Sequence, residues 1–436
     1  MTLQQMQDKI LSDRRLALDD TYIQRNFTYP EIPGMASVIV GARRVGKSCF
    51  LRLKAKELVS KGTPEDKICY LNFFGIEDEK IPFSLVEKAY YSLYPNYSKD
   101  PDVHFFIDEI QNIDFWGEGI SNIMDVHKCK VTVSGSSAKY LSTDIASELR
   151  GRSISYRFYP LSFEEFARFN GEDIKASKAY SNEEQNQLRN LFKQYMERGS
   201  YPALASMDNA ETRKQMLITY FDLAYSMDII DRFDVTKGSM LKKLMRRMVK
   251  NSGSPYTIRR LAHYLASEGY SSSTTLISDY LGMMTDTCFF TDVRVLGNSK
   301  KENSNPRKLY TIDHSMAALF REFGQDSGKR LEHAVLASIL RCTPNVCYYR
   351  TAADKELDFV VTDSDKNPRI IIQVTDDSEA SMQREIQSTE EGMKELGFNE
   401  SYLVTSDEER DIDVESGTIH AISGWRFMLN AASIIG

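Results

Sequence analysis

Residues 41–48 read Gly41-Ala42-Arg43-Arg44-Val45-Gly46-Lys47-Ser48, two glycines enclosing four residues and followed directly by a lysine and a serine. Each fixed position has a physical task. The glycines let the backbone turn tightly enough to aim its N–H groups inward at phosphate. Lys47 supplies a point charge, and Ser48 offers a hydroxyl to a divalent cation. The flanks agree with this reading. Residues 35–40 (MASVIV) are an apolar run suited to a buried strand, and residues 49–61 (CFLRLKAKELVSK) have a helical pattern. Strand, glycine loop and helix N-terminus in that order build an anion site. Gly41, Ala42, Arg43, Arg44, Val45, Gly46, Lys47, Ser48 and Cys49 are therefore the candidate nucleotide-binding residues, with ATP and Mg2+ as the expected cofactors.

A second motif lies about sixty residues downstream. Residues 103–107 (VHFFI) form an apolar run that closes on Asp108 and Glu109. An aspartate at the end of such a strand holds Mg2+, so Ser48 and Asp108 are the expected metal ligands. Glu109 stands where a carboxylate can orient and deprotonate an attacking water. Residues 131–134 (VTVS) are a further strand ending in small polar residues, which makes Ser134 the candidate sensor of the γ-phosphate or the lytic water, with Ser136 close behind. Arg150 and Arg152 in LRGR are candidate arginine fingers that act on a neighbouring copy, so a homo-oligomer is one expectation.

With 436 residues the chain exceeds one ordinary core. Five segments are expected: an N-terminal helix (1–25), a parallel-sheet nucleotide domain (26–165), a helical lid on that domain (166–235), a winged helix (236–324) and an α/β domain (325–436). The net charge of −7 gives no general pull toward nucleic acid or membranes, but its distribution is uneven. Residues 236–310 hold thirteen Lys and Arg against five Asp and Glu. There, a helix from Thr257, a turn after Gly269 and a second helix from Thr274 spell a helix-turn-helix, with a strand pair after it as the wing. The second helix would carry Ser273, Thr274, Thr275 and Ser278 toward a groove of double-stranded DNA. Lys242, Lys243, Arg246, Arg247, Arg259 and Arg260 would meet phosphates. Packing alone is the other reading of this module. The six cysteines are scattered without C-x-x-C pairs, the first residues lack an apolar signal region, and no run has the length of a membrane span. A cytoplasmic location away from membranes is expected.

The C-terminal stretch carries a second constellation. Glu332 lies on an apolar helix, Asp358 on a strand, and Gln373 and Thr375 on the next strand. A helix acid, a strand aspartate and an [E/Q]-x-K triplet form the metal-binding set of restriction-endonuclease-like folds. Here the glutamate position is Gln373 and the lysine position is Thr375. The fold is expected, while loss of one charge and of the basic group argues against cleavage.

Together these segments resemble the prokaryotic ATP-binding proteins that join an AAA-type ATPase to a C-terminal domain of unknown function. The residues that carry the likeness are GARRVGKS (41–48), FFIDEIQNI (105–113), VTVSGSSAKYLS (131–142) and LRGRSISYRFYPLSFEEF (149–166). ERGSYPAL (197–204), DIIDR (228–232), KLYTIDHSM (308–316) and the LEHAV, ELDFVV and IQV segments add to it. The resemblance implies nucleotide roles for Gly41, Gly46, Lys47, Ser48, Asp108 and Glu109, and it implies no biological task. Three readings follow: an ATP-driven switch, an ATP-gated nucleic-acid enzyme, and a binding module that does not turn over.

Overall fold

The computed structural model describes residues 1–76, 81–135, 149, 151–176, 178–233, 235, 237–297, 306–321, 327–376 and 378–436. The chain is mixed α/β and divides into two compact units. One holds Met1–Phe158 with Asp286–Cys288, the other Tyr159–Thr285 with Phe289–Gly436.

The first unit is built on five parallel strands, β1 (Ala36–Val40), β2 (Ile68–Asn72), β3 (His104–Asp108), β4 (Lys130–Gly135) and β5 (Ser153–Arg157), in the order β2-β3-β4-β1-β5. Strands β1 and β3 are buried at every position, as expected for a parallel sheet covered on both faces. Helices α2 (Lys47–Ser60), α3 (Phe83–Leu93) and α4 (Trp116–Val126) accompany them. Helix α1 (Leu3–Asp19) starts in a capping box between Thr2 and Gln5 and buries Met6, Ile10 and Ala17. Its Asp13 accepts the backbone N–H of Asn72 at 2.9 Å, which satisfies part of the open edge of β2. The four strands expected from apolar runs are present. Strand β5 is the one that the hydrophobic pattern does not announce. Among the described residues it pairs only with β1, and none of its residues is fully buried.

The second unit is organised around one nine-stranded mixed sheet. Helix α5 (Phe163–Phe169), helix α6 (Asn182–Arg198) and helix α7 (Ala210–Tyr225) come first. Then follow α8 (Gly238–Lys250), β6 (Pro255–Tyr256), α9 (Ile258–Ser267), α10 (Thr274–Asp286), β7 (Phe290–Val295) and β8 (Arg307–Thr311). Strand β8 pairs antiparallel with both β6 and β7, so this stretch has the helix-strand-helix-helix-strand-strand order of a winged helix. The remainder comprises α11 (Ser327–Cys342), β9 (Val346–Arg350), β10 (Glu356–Thr362), β11 (Pro368–Val374), α12 (Glu379–Leu396), β12 (Glu400–Thr405), β13 (Arg410–Val414), β14 (Gly417–Ser423) and α13 (Gly424–Ile435).

The sheet crosses the boundary drawn from sequence at residue 324. Strand β7 of the wing pairs in parallel with β9, so wing and C-terminal strands form one sheet. The helices expected as a lid are likewise tied to it. Phe163, Phe166, Leu188, Phe192 and Tyr195 share an apolar core with Leu331, Val335, Phe359 and Trp425. No helix among the described residues is long and apolar enough to cross a membrane.

Candidate functional site

Strand β1 ends at Val40, and the chain then turns through residues 41–46 into α2. Two glycines are needed here for different reasons. A Cβ on Gly41 would lie 2.3 Å from the Phe158 carbonyl oxygen, so only glycine lets the loop approach the end of β5. Gly46 takes φ +100° as the residue that opens α2, in the left-handed region that glycine enters without steric penalty. Arg44 also has positive φ (68°) and is exposed, and Arg43 is half-buried. The Val45 carbonyl is held by the Arg25 guanidinium at 2.9 Å. Arg25 in turn lies over the Phe158 ring, 4.4 Å from its centroid. Ser48 is half-buried and Cys49 exposed in the first turn of α2.

Lys47 is buried, and its Nζ donates to the carbonyls of Gly41 (2.8 Å) and Ala42 (2.9 Å). The ammonium is thus fixed across the loop rather than extended into solvent. With the backbone N–H groups of the first turn of α2, it makes a positive concavity suited to phosphate.

The sheet order brings the second motif beside this loop. Strand β4 lies between β1 and β3, and Ser134 pairs in register with Ile39. Adjacent strands are about 4.8 Å apart, so the ends of β1, β4 and β3 present one short row. Asp108 ends β3 with 1 % of its surface exposed. Its Oδ1 accepts the Ser134 hydroxyl, while Oδ2 is buried without a hydrogen-bond partner among the described residues. Burial pushes the Asp108 carboxyl up from its ordinary range and the neighbouring Glu109 charge adds to this. The Ser134 and Ser48 hydroxyls and the Lys47 charge pull it back. A buried carboxylate oxygen without a donor, beside a serine hydroxyl, fits a hard divalent cation that completes its shell with phosphate and water.

Glu109 follows in the left-handed region (φ 56°), and Gln111 donates to its Oε2 through Nε2. A non-glycine residue held there costs on the order of 1–2 kcal/mol, which the surrounding structure must sustain. Ser134, expected as a sensor, spends its hydroxyl on Asp108 and so acts on the orientation of that carboxylate. Arg152 sits at the other end of the sheet. Its carbonyl accepts from Ala36, the first residue of β1, and its guanidinium pairs with Asp125 at 2.6 Å on the surface. The five residues of β1 span about 16 Å, so Arg152 cannot serve its own loop. Arg150 and Ser136 lie outside the described residues. Sequence reasoning passed over Arg157, which pairs in register with Val40 and so stands beside the loop. Its position at the end of a strand was the available signal, but the strand itself was not recognised.

The C-terminal candidates also converge. Glu332, Asp358, Gln373 and Thr375 line one polar cavity of about 660 Å³ in the second unit. Gln373 is used at both ends of its amide: Oε1 accepts the Asp358 N–H at 2.8 Å, and Nε2 donates to Glu385 at 2.5 Å. Thr375 donates to the Asp376 carbonyl at 2.8 Å. What the sequence did not reveal is Lys308. From β8, its fully buried Nζ lies 2.8 Å from Glu356, 3.5 Å from Asp358 and 3.6 Å from Glu332. Lys329 adds a second ammonium 2.5 Å from Glu332. Burial and the Glu332 charge raise Asp358, whereas the lysines hold Glu332 below the ordinary carboxylate range against its burial.

In the winged helix, Thr274, Thr275 and Ser278 are exposed on α10 and Ser273 is exposed just before it, accepting the Leu276 N–H, but α10 itself contains no Lys or Arg. Lys242 pairs with Asp222 (2.8 Å) and Lys243 with Glu268 (2.7 Å). Arg246 lies over Phe320 and Arg247 over Tyr264. Arg259 and Arg260 on α9 are exposed.

Residues 34–167 match the family model of an AAA domain, and residues 189–327 match a domain of unknown function (DUF8612). The chain is 26% identical over 435 residues to an uncharacterized protein of Methanocaldococcus jannaschii, covering 97% of this chain and 95% of that one. It is 25% identical over 354 residues to an uncharacterized protein of Haemophilus influenzae, covering 80% and 84%. Among solved structures it is similar to C. elegans PCH-2, with 16% identity over 50% of this chain and 61% of that one and a TM-score of 0.27, too low to bear on function. The phosphate-loop pattern, the acid-terminated strand beside it and the match over 34–167 give the first unit the fold of an AAA-type P-loop domain.

Proposed function

We propose that this chain is an Mg2+-dependent ATPase of the cytoplasm that works as a molecular switch for a nucleic-acid or protein partner. The observation that carries the reading is the row formed by Lys47, Ser48, Asp108 and Glu109 at one end of a parallel sheet. Lys47 and the first-turn N–H groups of α2 bind the phosphates. Mg2+, held by Ser48 and Asp108, would neutralise phosphate charge. Ser134 keeps the Asp108 carboxylate turned toward the loop, and Glu109 orients water and takes its proton. Arg152 can act as a finger only in a second copy's site, so that role goes with a homo-oligomer. The exposed pair Arg259 and Arg260 supports contact with DNA phosphates, but most of the other basic groups of the winged helix are engaged within the chain.

Steady-state phosphate release tests this directly. ATP turnover is expected with Mg2+ and lost with EDTA, and no release above the buffer rate with Mg2+ would leave a binding module only. Duplex DNA is expected to stimulate turnover at low salt and to lose that effect as salt rises, because phosphate contacts release counterions. Turnover indifferent to DNA at every salt would move the partner to the protein class.

For the C-terminal cavity we infer a structural ion cluster in place of a hydrolytic metal site. The Lys308 ammonium stands where three carboxylates converge, which is the place a nuclease would give to its metal. Lys308→Met should lower the stability of the second unit by about 3–5 kcal/mol, since it leaves buried carboxylates uncompensated. The loss should be large at pH 7.5 and shrink toward pH 5. Asp358 already has a raised pKa, and a raised acid is stabilised by protonation, so stability falls as pH rises. Melting curves at both values check this, and a variant as stable as wild type at pH 7.5 would refute the cluster.

A further inference from the structure

The second unit contains a larger cavity, about 800 Å³, which takes Arg330 and Leu331 from α11 where the ion-cluster cavity takes Lys329 and Glu332. Its apolar part comes from Phe192 of α6, Leu217 of α7, Leu319, Leu331 of α11 and Trp425 of α13. Its polar part is one-sided. Seven Lys and Arg line it against two acids, in a chain whose net charge is −7.

Both acids are already spent. Asp407 pairs with Arg189 at 2.5 Å and Glu197 with Arg213 at 2.6 Å. Arg198 pairs with Asp208 at 2.5 Å, and Arg321 donates to the carbonyls of Lys250 and Ser252. Lys193, Lys214 and Arg330 remain, and among the described residues none of them has a carboxylate within ion-pair distance. Among the described residues Arg330 makes one 3.3 Å bond, to the Met196 carbonyl, and its buried Nε has no acceptor. Trp425, 1 % exposed, likewise has an indole N–H with no acceptor among the described residues. A buried donor left unpaired is costly, and both belong to residues that line this cavity, although neither nitrogen is itself open to it.

We propose that this cavity binds an organic anion made of an apolar body and a carboxylate or phosphate head. The volume falls in the range of small-molecule sites, and apolar walls with a few converging donors are their usual chemistry. The apolar body packs on Phe192, Leu217 and Trp425. The head meets the Arg330 guanidinium, and Lys193 and Lys214 attract it from the rim. An apolar cation is rejected, because it would bury its charge among ammonium and guanidinium groups.

The chain has two tryptophans, so Trp116→Phe leaves Trp425 as the only indole reporter. Dodecyl phosphate and decanoate are titrated below their micellar concentrations against this full-length variant, following Trp425 emission. Inorganic phosphate and dodecyltrimethylammonium serve as head-only and charge-reversed controls. Equilibrium dialysis against the wild-type chain repeats the measurement independently of fluorescence and of the Trp116 change. One or both amphiphilic anions are expected to bind saturably at one site, and the tighter of the two assigns the head group. Both controls should be at least about tenfold weaker, a difference of roughly 1.4 kcal/mol. The double variant Lys193→Glu with Lys214→Glu, both at exposed positions, should weaken the anion by a similar factor. Equal binding of the cationic amphiphile, an unchanged affinity in the double variant, or no saturable binding of either anion overturns the proposal.

Discussion

Lys47→Ala is expected to weaken MgATP binding by at least about hundredfold, or roughly 2.8 kcal/mol. The reason lies in how little else in the loop carries fixed charge toward the phosphates. Arg44 is exposed and Arg43 half-buried, whereas Lys47 is buried with its Nζ fixed over the loop by the Gly41 and Ala42 carbonyls. Charge-assisted bonds to phosphate are about twice as strong as neutral ones, and alanine removes all three of the lysine's donors. The substitution also leaves two loop carbonyls without their donor, so loop order and phosphate contact are lost together. Calorimetric titration of MgATP gives the affinity, and a nucleotide-free melt shows whether the fold survived. An affinity within about threefold of wild type in a variant with a native melt would remove Lys47 from the phosphate site.

Much of the first unit could be read from the chain because its chemistry is local. The phosphate loop is eight contiguous residues, and Asp108 and Glu109 announce themselves by ending an apolar strand. What escaped was set by pairing between distant segments. Strand β5 (SISYR) alternates small and large residues at a sheet edge, with no apolar run to mark it. Missing it meant missing Arg157 beside the loop and the Phe158 carbonyl that forces glycine at position 41. Arg152 is close in sequence to the sensor strand, but parallel topology puts it at the other end of the sheet from the loop of its own chain, beside Ala36.

In the second unit, the helix acid, strand aspartate and glutamine were legible because their spacing follows one helix and two strands. Lys308 was not, since it arrives from a wing strand and faces Asp358 fifty residues later in the chain. The boundary at residue 324 failed to anticipate the shared sheet for the same reason: the β7–β9 pairing joins segments about fifty residues apart. The basic cavity is the extreme case. Its walls come from residues 189 to 425, and no local pattern could have assembled them.

Glu109→Gln should separate binding from turnover, with ATP hydrolysis falling by about 10²–10³ while MgATP affinity stays within about threefold. Glutamine keeps the size of the side chain and an oxygen that can accept from Gln111, so the local geometry is retained. It removes the negative charge and the proton acceptor, which are what a base needs. The same charge pushes Asp108 up, second only to burial. Its removal should therefore let Asp108 ionise more readily and carry Mg2+-dependent binding to lower pH than in wild type. A purely structural Glu109 predicts the opposite pattern. The left-handed backbone at this position would then be the residue's only contribution, and glutamine, which tolerates that conformation no worse, would hydrolyse ATP at the wild-type rate. Single-turnover hydrolysis at saturating ATP, with binding measured across pH on the same samples, distinguishes the two. Full turnover in Glu109→Gln would move the base to another residue, whereas slow turnover with the shifted binding profile ties both effects to one carboxylate.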